Sequence, residues 1–454
     1  MVNKELPVLN PATGEVFATV ATSAAEDVTR AVRAATLAAP AWRELGEDSR
    51  RDRLRACEKA LDAHIPELAE LLTREQGKPL ADASAEVTLA AEWFGHTAAL
   101  RVPSESLVAE PAAEIDLSRP PYGTVAAIAP SNYPVLLAVT KIAPALLAGN
   151  TVVLKPSPVT PLSSLRMVEL LANVLPADVL GIVIGAGDVG QALVGDPAVQ
   201  VVSFTGSIHT GRLIARSVAG DFKKVILELG GNDACIVLPG TDISRIAPGI
   251  FRRAMVNSGQ FCAAIKRVYV HQADYGDLVD ALASEARRAV VGDGDAPVTD
   301  LGPLAEHAQL ERVSGLVTAA RQAGGRAVTG GAKLDRPGYF YPPTVMDRLP
   351  PGTEVEVTEQ FGPVLPVLAY TDVDVAIRRA NDTEYGLGGS VWGDEAEAAA
   401  VAASLDCGTA WVNTHGDLRS NVPFGGFRSS GIGVEYGYYG LLEYTRMRVR
   451  SLAR

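Results

Sequence analysis

The first hundred residues have the hydrophobic and polar spacing of helices. Ser23 and Glu26 form a capping-box pair, which predicts a helix that ends near Ala39, at Pro40. A second helical pattern covers residues 49–76 and stops at a glycine, and the proline inside it predicts a kink or two separate helices. The N-terminal region is therefore expected to be helical.

From residue 122 onward, short β-rich runs alternate with helical patterns. Apolar strands that alternate with helices are typical of parallel sheets covered on both faces, so the sequence predicts an α/β fold. The first series has predicted strands at 123–129, 151–154, 181–184, 199–204 and 224–229, and predicted helices at 134–148, 163–175, 189–194 and 210–219. The second series has predicted strands at 234–238, 267–271, 364–370 and 408–413.

Two other segments have a distinct character. Residues 107–118 and the tail after Gly440 are extended and partly polar in pattern, and they predict an outlying arm. Residues 120–140 carry no charge and are long enough to cross a membrane. Their four prolines would leave backbone groups unpaired in lipid, so a buried strand, a loop and a buried helix are expected instead.

Composition narrows the class of protein. A chain of 454 residues suggests two or three domains, and a net charge of -12 without a basic patch argues against a nucleic-acid partner. Only 4 cysteines argue against a disulfide framework, and a reactive thiol needs a reducing compartment, so a cytoplasmic location is expected. Residues 1–11 lack a signal-peptide pattern, and the 6 scattered histidines predict no metal site.

Residues 185–190 read Gly-Ala-Gly-Asp-Val-Gly, which fits the dinucleotide-binding fingerprint between a predicted strand and a predicted helix. The acidic residue expected about 20 positions later is absent, since that region reads Val-Val-Ser-Phe. A tight strand-to-helix turn explains the three glycines at least as well. Nucleotide binding is predicted here without the ordinary Rossmann geometry.

A second candidate phosphate site lies at residues 204–207, Phe-Thr-Gly-Ser. Small residues at Gly206 and Ser207 leave backbone N–H groups at a helix start open to a pyrophosphate. Ser207 also fits an ordinary helix N-cap.

Two reactive side chains stand in unusual surroundings. Cys262 follows a polar, glycine-containing stretch, unlike Cys57, Cys235 and Cys407, which fit packing positions. We expect Cys262 in a loop or at a helix entrance, where a helix N-terminus would lower the pKa of its thiol. Glu228 interrupts an apolar strand, so it is either half of a buried ion pair or a general base of raised pKa.

Two further polar residues end predicted strands. Asn132 is either a turn residue or an amide donor to an oxyanion. Lys155 is either a solvated charge or a contact to ribose or phosphate oxygens. Together with Cys262 and Glu228, they fit one chemistry: thiolate attack on an aldehyde, oxyanion stabilisation, hydride transfer to a nicotinamide and hydrolysis by an activated water.

The sequence resembles the aldehyde dehydrogenase superfamily over essentially the whole chain. The resemblance implies an aldehyde dehydrogenase-like fold of two parallel-sheet α/β domains plus a small β oligomerisation arm, assembled as a homodimer or homotetramer. The implied divisions are 1–103 with 122–230 for the dinucleotide, 231–432 for catalysis, and 104–121 with 433–454 for the arm. The motifs that carry it lie, in the family's order, at residues 10–15, 130–134, 155–157, 204–207, 227–231, 259–262, 359–363 and 423–426.

By matching motif, the resemblance implies that Cys262 is the nucleophile and Glu228 the general base for water. Asn132 and the backbone N–H of Cys262 would form the oxyanion hole. The implied reaction is NAD(P)-dependent oxidation of an aldehyde to a carboxylic acid through a thiohemiacetal and a thioester. The implied cofactor contacts are Lys155, Gly187, Gly206, Ser207, Glu359 and Phe361.

The position three residues after Lys155 departs from many NAD-preferring members, which carry glutamate there to bind the adenosine ribose. This chain has Pro158, so the resemblance leaves both NAD and NADP open. Two other readings remain. A CoA-acylating semialdehyde dehydrogenase usually lacks the glutamate that this chain has at 228, and a non-catalytic member could have lost the thiol, base or amide, all of which are present.

Overall fold

The computed structural model describes residues 5–110 and 113–453. The chain begins with a hairpin, continues through four helices and then forms two further strands. These elements are β1 (Glu5–Asn10), β2 (Glu15–Ala21), α1 (Ala25–Glu44), α2 (Glu47–Asp62), α3 (Ile65–Gln76), α4 (Leu80–Ala99), β3 (Glu105–Glu110) and β4 (Ala113–Ser118).

The middle of the chain alternates strands and helices. These are β5 (Thr124–Ile128), α5 (Pro134–Ala148), β6 (Thr151–Lys155), α6 (Leu162–Ala172), β7 (Leu180–Ile182), α7 (Gly187–Gly195), β8 (Val199–Thr205), α8 (Ile208–Val218) and β9 (Lys224–Glu228). Each strand and helix predicted in this region is confirmed to within three residues at its ends.

The last part of the chain forms a second alternating series and a final strand. These are β10 (Asp233–Val237), α9 (Ile243–Met255), β11 (Ile265–His271), α10 (Tyr275–Arg288), α11 (His307–Gln322), β12 (Arg326–Ala327), β13 (Thr344–Asp347), α12 (Glu354–Val357), β14 (Val364–Tyr370), α13 (Val373–Asn381), β15 (Gly388–Trp392), α14 (Glu395–Ala402), β16 (Thr409–Val412), β17 (Gly431–Ile432), α15 (Gly437–Leu442) and β18 (Arg448–Ala453).

The start of α1 differs from its prediction by one residue. Ala24 is the N-cap, and its backbone N–H donates to the carboxylate of Asp27 at 2.8 Å, so Ser23 and Glu26 do not form the capping box. Ser23 instead accepts a hydrogen bond from the backbone N–H of Ile184 at 3.0 Å. A tertiary contact to the strand region therefore takes the hydroxyl that the local pattern assigned to the cap.

The end of α1 is also later than predicted, because the helix runs through Pro40 to Glu44. Proline removes one helical hydrogen bond but does not end a helix that packing holds in place. Trp42, two residues further on, is buried, and its indole N–H donates to the carbonyl oxygen of Leu146 at 3.1 Å. The pattern at 49–76 forms two helices, with Pro66 in the first turn of α3, as the proline predicted.

The first large sheet has six strands in the order β17-β9-β8-β5-β6-β7. Strands β5 to β9 are mutually parallel, and β17 adds to the edge in an antiparallel direction. Alternate residues of β5 belong to two different cores: Val125 and Ala127 on one face, Ala126 and Ile128 on the other. The predicted parallel sheet covered on both faces is confirmed.

The second large sheet has seven strands in the order β12-β13-β14-β11-β10-β15-β16, parallel except for β12. Its two faces also carry separate cores, since Cys235 and Val237 of β10 pack on one side and Ala234 and Ile236 on the other. The sequence patterns did not predict β12, β13 or β15. Strand β15 begins with two glycines, which weaken a strand pattern.

A third, small antiparallel sheet has the order β18-β4-β3. The extended character predicted for residues 107–118 is confirmed where the structure describes them, and that of the tail is confirmed from Arg448 onward, whereas residues 441–442 still belong to α15. The register places Val449 opposite Leu117, and Val108 opposite Ile115, so these four apolar side chains share one face of the sheet with Glu105 and Ser451. Val449 is 58% exposed.

The order of the six-stranded sheet reverses between β5 and β8, because β6 and β7 follow on one side and β8 and β9 on the other. Ligands of open parallel sheets bind at the carboxyl ends of strands at such a reversal. The uncharged segment 120–140 supplies β5 and the start of α5, as predicted. None of the helices in the described residues has the length and apolar character that a membrane crossing needs.

We predict that Leu146→Ala lowers the free energy of unfolding by about 3 kcal/mol, because Leu146 is fully buried in α5 and truncation leaves a cavity. Leu37→Ala on α1 is the matched control, since Leu37 is 71% exposed and should change stability by less than about 0.5 kcal/mol. Urea denaturation measures both. Similar losses in the two variants would contradict a core centred on α5.

Candidate active site

A cavity of about 510 Å³ opens at the carboxyl ends of β5 and β8 and reaches the loop before β11. Its position matches the reversal in strand order, and its volume suits a small-molecule or cofactor site. Six of the nine residues predicted for the site line it: Asn132, Gly206, Ser207, Cys262, Glu359 and Phe361.

Cys262 lies in the loop between a short 3-10 turn (Val256–Gly259) and β11, half-exposed to the cavity. The prediction that a helix N-terminus lowers its pKa is wrong, because no helix begins at this residue. Burial raises the pKa of the thiol, and the nearby carboxylates of Glu228 and Glu359 raise it further. A neighbouring base must therefore take the proton before the sulfur can attack.

The loop backbone that carries the thiol is tightly constrained. Asn257 and Ser258 have left-handed φ angles of 50° and 55°. Gly259 has a φ of +74°, and a Cβ there would lie 2.2 Å from the carbonyl oxygen of Gly362. Lys266 donates to the carbonyl oxygen of Gly259 at 2.9 Å. These contacts fix the direction in which the following residues enter the cavity.

Glu228 ends β9 and is 4% exposed. Among the described residues, its Oε1 atom has no hydrogen-bond partner. Burial raises the pKa of this carboxyl well above its ordinary value, the charge of Glu435 raises it further, and Lys141 lowers it. An unpartnered buried carboxylate oxygen close to a thiol has the properties of a general base rather than of half an ion pair.

Lys141 and Glu435 are two residues that the sequence reasoning missed. Lys141 on α5 forms a fully buried ion pair with Glu435 and donates to Thr205 Oγ1 at 2.7 Å. This is why Lys141 does not neutralise Glu228. The signal in the sequence was a lysine inside the otherwise apolar helix α5, whereas Glu435 lies in a segment rich in glycine and tyrosine that has no helical or strand periodicity.

Asn132 lies in the loop between β5 and α5 and is 4% exposed. Its Nδ2 atom donates to the carbonyl oxygen of Gln260 at 3.0 Å, which ties it to the loop that carries Cys262. Its backbone carbonyl oxygen accepts hydrogen bonds from Lys78 Nζ at 2.7 Å and from Asn257 Nδ2 at 3.0 Å. The amide and the thiol therefore face the same cavity from two sheets.

Lys155 and Gly187, like Glu228, lie outside the cavity lining. Lys155 ends β6 and is 6% exposed, so it is not the solvated charge that was the alternative. Burial lowers the pKa of Lys155 to about 8, and the charge of Asp188 opposes that shift. Gly187 is exposed in the first turn of α7, and a Cβ there would meet nothing within 4 Å.

The glycines of the fingerprint have separate structural reasons. A Cβ on Gly185 would lie 2.3 Å from Val189 Cγ2, so this glycine permits the tight turn into α7. A Cβ on Gly190 would lie 3.5 Å from the Lys155 side chain. The tight-turn interpretation therefore explains Gly185 without a ligand.

Gly206 and Ser207 lie between β8 and α8. A Cβ on Gly206 would lie 2.4 Å from the ring of Phe204, so glycine is required. Ser207 is the N-cap of α8, and its hydroxyl accepts from the backbone N–H of Thr210 at 3.2 Å. The N-cap alternative is thus confirmed, and the first N–H groups of α8 still face the cavity side of the sheet.

Glu359 and Phe361 approach from the second sheet. Glu359 Oε1 accepts from the backbone N–H of Gly231 at 3.3 Å, and burial raises the pKa of its carboxyl. Phe361 has a left-handed φ of 50° and presents its ring 5.1 Å from Lys266 Nζ. Strained backbone of this kind is typical of functional loops.

The sequence matches the model of the aldehyde dehydrogenase family over residues 2–449. It is 38% identical over 470 residues to phenylacetaldehyde dehydrogenase of Pseudomonas fluorescens, with 99% of this chain and 93% of that protein covered. A crystal structure described as an NADP-dependent enzyme of Escherichia coli is similar with a TM-score of 0.97 at 34% identity, covering 99% of this chain and 95% of that one. Betaine aldehyde dehydrogenase of Staphylococcus aureus in complex with NAD+ gives a TM-score of 0.96 at 32% identity, covering 99% and 92%.

These similarities extend over both sheets and the loops that form the cavity, so they concern the whole chain and not one motif. The resemblance inferred from the sequence and the α/β fold class are both confirmed. The chain belongs to the aldehyde dehydrogenase family.

Proposed function

We propose that Cys262, Glu228 and Asn132 carry out the aldehyde dehydrogenase reaction in this chain. The family's reaction is the NAD(P)-dependent oxidation of an aldehyde to a carboxylic acid. The observation that carries the residue assignment is a half-buried thiol and an amide tied to its loop that line one cavity, with the buried Glu228 carboxylate behind them, near enough to raise the pKa of the thiol.

In the first half-reaction, the Cys262 thiol gives its proton to solvent water in the cavity, and the sulfur bonds to the aldehyde carbon. The carbonyl electron pair moves to oxygen, where Asn132 and the backbone N–H of Cys262 donate hydrogen bonds to the oxyanion of the thiohemiacetal. A nicotinamide dinucleotide supplies the acceptor for the hydride that leaves the carbon. A thioester on Cys262 remains.

In the second half-reaction, Glu228 takes a proton from water as the water oxygen bonds to the thioester carbon. The carbon–sulfur bond then breaks, the acid leaves and the thiolate is restored. The raised pKa of Glu228 makes it a stronger base than an exposed carboxylate.

The cavity fits a dinucleotide. It has suitable volume, and the N-terminus of α8 at Ser207 lies in its lining beside Gly206. We propose that Lys155 and Glu359 hold ribose hydroxyls and that Phe361 contacts the nicotinamide side. The remaining proposed contacts are Gly187, near the adenine, and Gly206 and Ser207, at the pyrophosphate.

NAD and NADP are both proposed as cofactors. Pro158 supplies no carboxylate against a 2′-phosphate, but the carboxylate of Asp188 lies close enough to Lys155 to affect its pKa. Negative charge is therefore not absent from this end of the site. Kinetics with both cofactors over aliphatic, aromatic and semialdehyde substrates, with and without CoA, measures the preference and separates hydrolysis from acyl transfer.

The proposed organisation is a dinucleotide-binding domain (1–103 and 122–230), a catalytic domain (231–432) and an oligomerisation arm (104–121 and 433–454). We propose a homodimer or homotetramer, because the apolar face of the arm sheet around Val449 is exposed in one chain. A cytoplasmic location is proposed because the mechanism needs a reduced thiol.

We predict that Cys262→Ala abolishes aldehyde-dependent NAD(P)H formation, measured by absorbance, while cofactor binding changes less than about twofold. The reason is that the sulfur forms the bond to substrate but does not hold the cofactor. Cys407→Ala is the matched control. Cys407 is also half-buried, but it does not line the cavity, and its thiol donates to the carbonyl oxygen of Thr409 at 3.3 Å. Residual turnover in Cys262→Ala would contradict the assignment.

We predict that Glu228→Gln keeps a rapid burst of NAD(P)H but slows the steady-state rate at least about 100-fold, because glutamine cannot take a proton from water. Stopped-flow absorbance measures both phases. An equal loss of burst and steady state would argue against a role in thioester hydrolysis. Restoration of the steady state by added CoA would show that only the water step had been lost.

We predict that wild-type protein has two or four times the chain mass in light scattering and that Val449→Asp shifts it to smaller species. A carboxylate on the apolar face of the arm sheet would be desolvated on assembly. Leu37→Asp, at an exposed position of α1, is the control and should leave the mass unchanged. A monomeric wild type would contradict the proposed role of the arm.

A further inference from the structure

A buried ion pair lies behind the loop that carries Asn132. Lys78 Nζ and Glu86 Oε2 are 2.5 Å apart, and both side chains are fully buried. Lys78 stands between α3 and α4, and Glu86 lies on α4. Neither residue lines the cavity, so neither touches substrate or cofactor.

Lys78 holds the backbone carbonyl of Asn132 itself. Its ammonium group donates to the carbonyl oxygen of Asn132 at 2.7 Å and lies 3.9 Å from the centre of the Tyr133 ring. With the bond to Glu86, these contacts use the donors of the ammonium group. Lys78 is thereby committed to the loop between β5 and α5.

Glu86 holds the backbone at the start of α5. Its Oε1 atom accepts from the backbone N–H groups of Val135 at 3.0 Å and Leu136 at 3.2 Å. These are free donors in the first turn of α5, where Pro134 has no N–H. Glu86 therefore anchors the start of the helix, two residues after the amide that Lys78 anchors.

We infer that Lys78 and Glu86 are positioning residues that hold Asn132 in register with Cys262, an inference that rests on the proposed function. The pair binds the backbone at Asn132 and again at Val135 and Leu136, on either side of Tyr133 and Pro134. A buried ion pair adds little stability over apolar residues of similar volume, so stability alone does not explain it. An oxyanion donor, by contrast, loses about 100-fold in rate when displaced by about 1 Å.

Asn132 is also bonded to the loop that carries Cys262. Its side chain bonds to Gln260, two residues before the thiol, and Asn257 bonds back to its carbonyl oxygen. Those bonds link the loop to the second sheet, whereas Lys78 and Glu86 link it to α4 behind the first. The amide is thus set by two opposing attachments, and loss of one frees it to move.

The test is a cycle of Lys78→Met and Asn132→Ala, followed by the rate of the NAD(P)H burst with saturating aldehyde and cofactor. Lys78→Met is expected to slow the burst about 10- to 100-fold, with cofactor Kd and the rate of Cys262 alkylation by iodoacetamide within about twofold of wild type. Because Lys78 acts through Asn132, the double variant should be no slower than Asn132→Ala. Asp347→Asn breaks a distant ion pair with Arg326 and should leave the burst unchanged.

An unchanged burst in Lys78→Met, or an equal further slowing of Asn132→Ala by Lys78→Met, would overturn the inference. If Asn132→Ala itself leaves the burst unchanged, the proposed oxyanion role fails, which is a different result. If Lys78→Met does not fold, Glu86→Gln takes its place in the same cycle, since it preserves volume and one acceptor. The inference is supported if Lys78→Met slows the burst about threefold or more in the wild-type background and has no further effect in the Asn132→Ala background.

Discussion

The need to satisfy charges in a buried seam constrains the whole site. Cys262 and Glu228 lie where the ends of two parallel sheets meet, and burial raises the pKa of both groups. A buried charge costs several kcal/mol unless it is paired or neutralised. Two buried lysine–glutamate pairs lie near these groups: Lys78–Glu86 and Lys141–Glu435.

The two pairs have different roles because they contact different groups. Lys141–Glu435 leaves Glu228 without a cation of its own, so that carboxyl remains a base with an open oxygen. Lys78–Glu86 spends its donors and acceptors on backbone groups, so it constrains position rather than charge. A third cation, Lys266, lowers the pKa of the thiol while bonding to the loop before it. Electrostatics and geometry are therefore supplied by separate residues.

Sequence patterns predicted most of the parallel strands and α5 to within three residues, because apolar runs bounded by glycine and proline are local signals. They failed where distant contacts decide the outcome. Trp42 carries α1 past Pro40, Ile184 takes the hydroxyl of Ser23 from the cap, and the short strand β17 exists only because β9 offers an edge. Of the two positions predicted for Cys262, the loop is confirmed and the helix entrance is not, since only a short 3-10 turn precedes the residue.

Lys141, which the sequence patterns did not single out, shares one property with Glu228, which they did. Glu228 attracted attention because it interrupts an apolar strand, and Lys141 interrupts the apolar helix α5 in the same way. A charge inside an apolar run must have a partner, but the sequence does not show where that partner lies. Glu435 is 294 positions from Lys141, and their pairing depends on the chain returning through β17 to the edge of the first sheet. The edge strand thus brings Glu435 close to Glu228, where its charge raises the pKa of the Glu228 carboxyl.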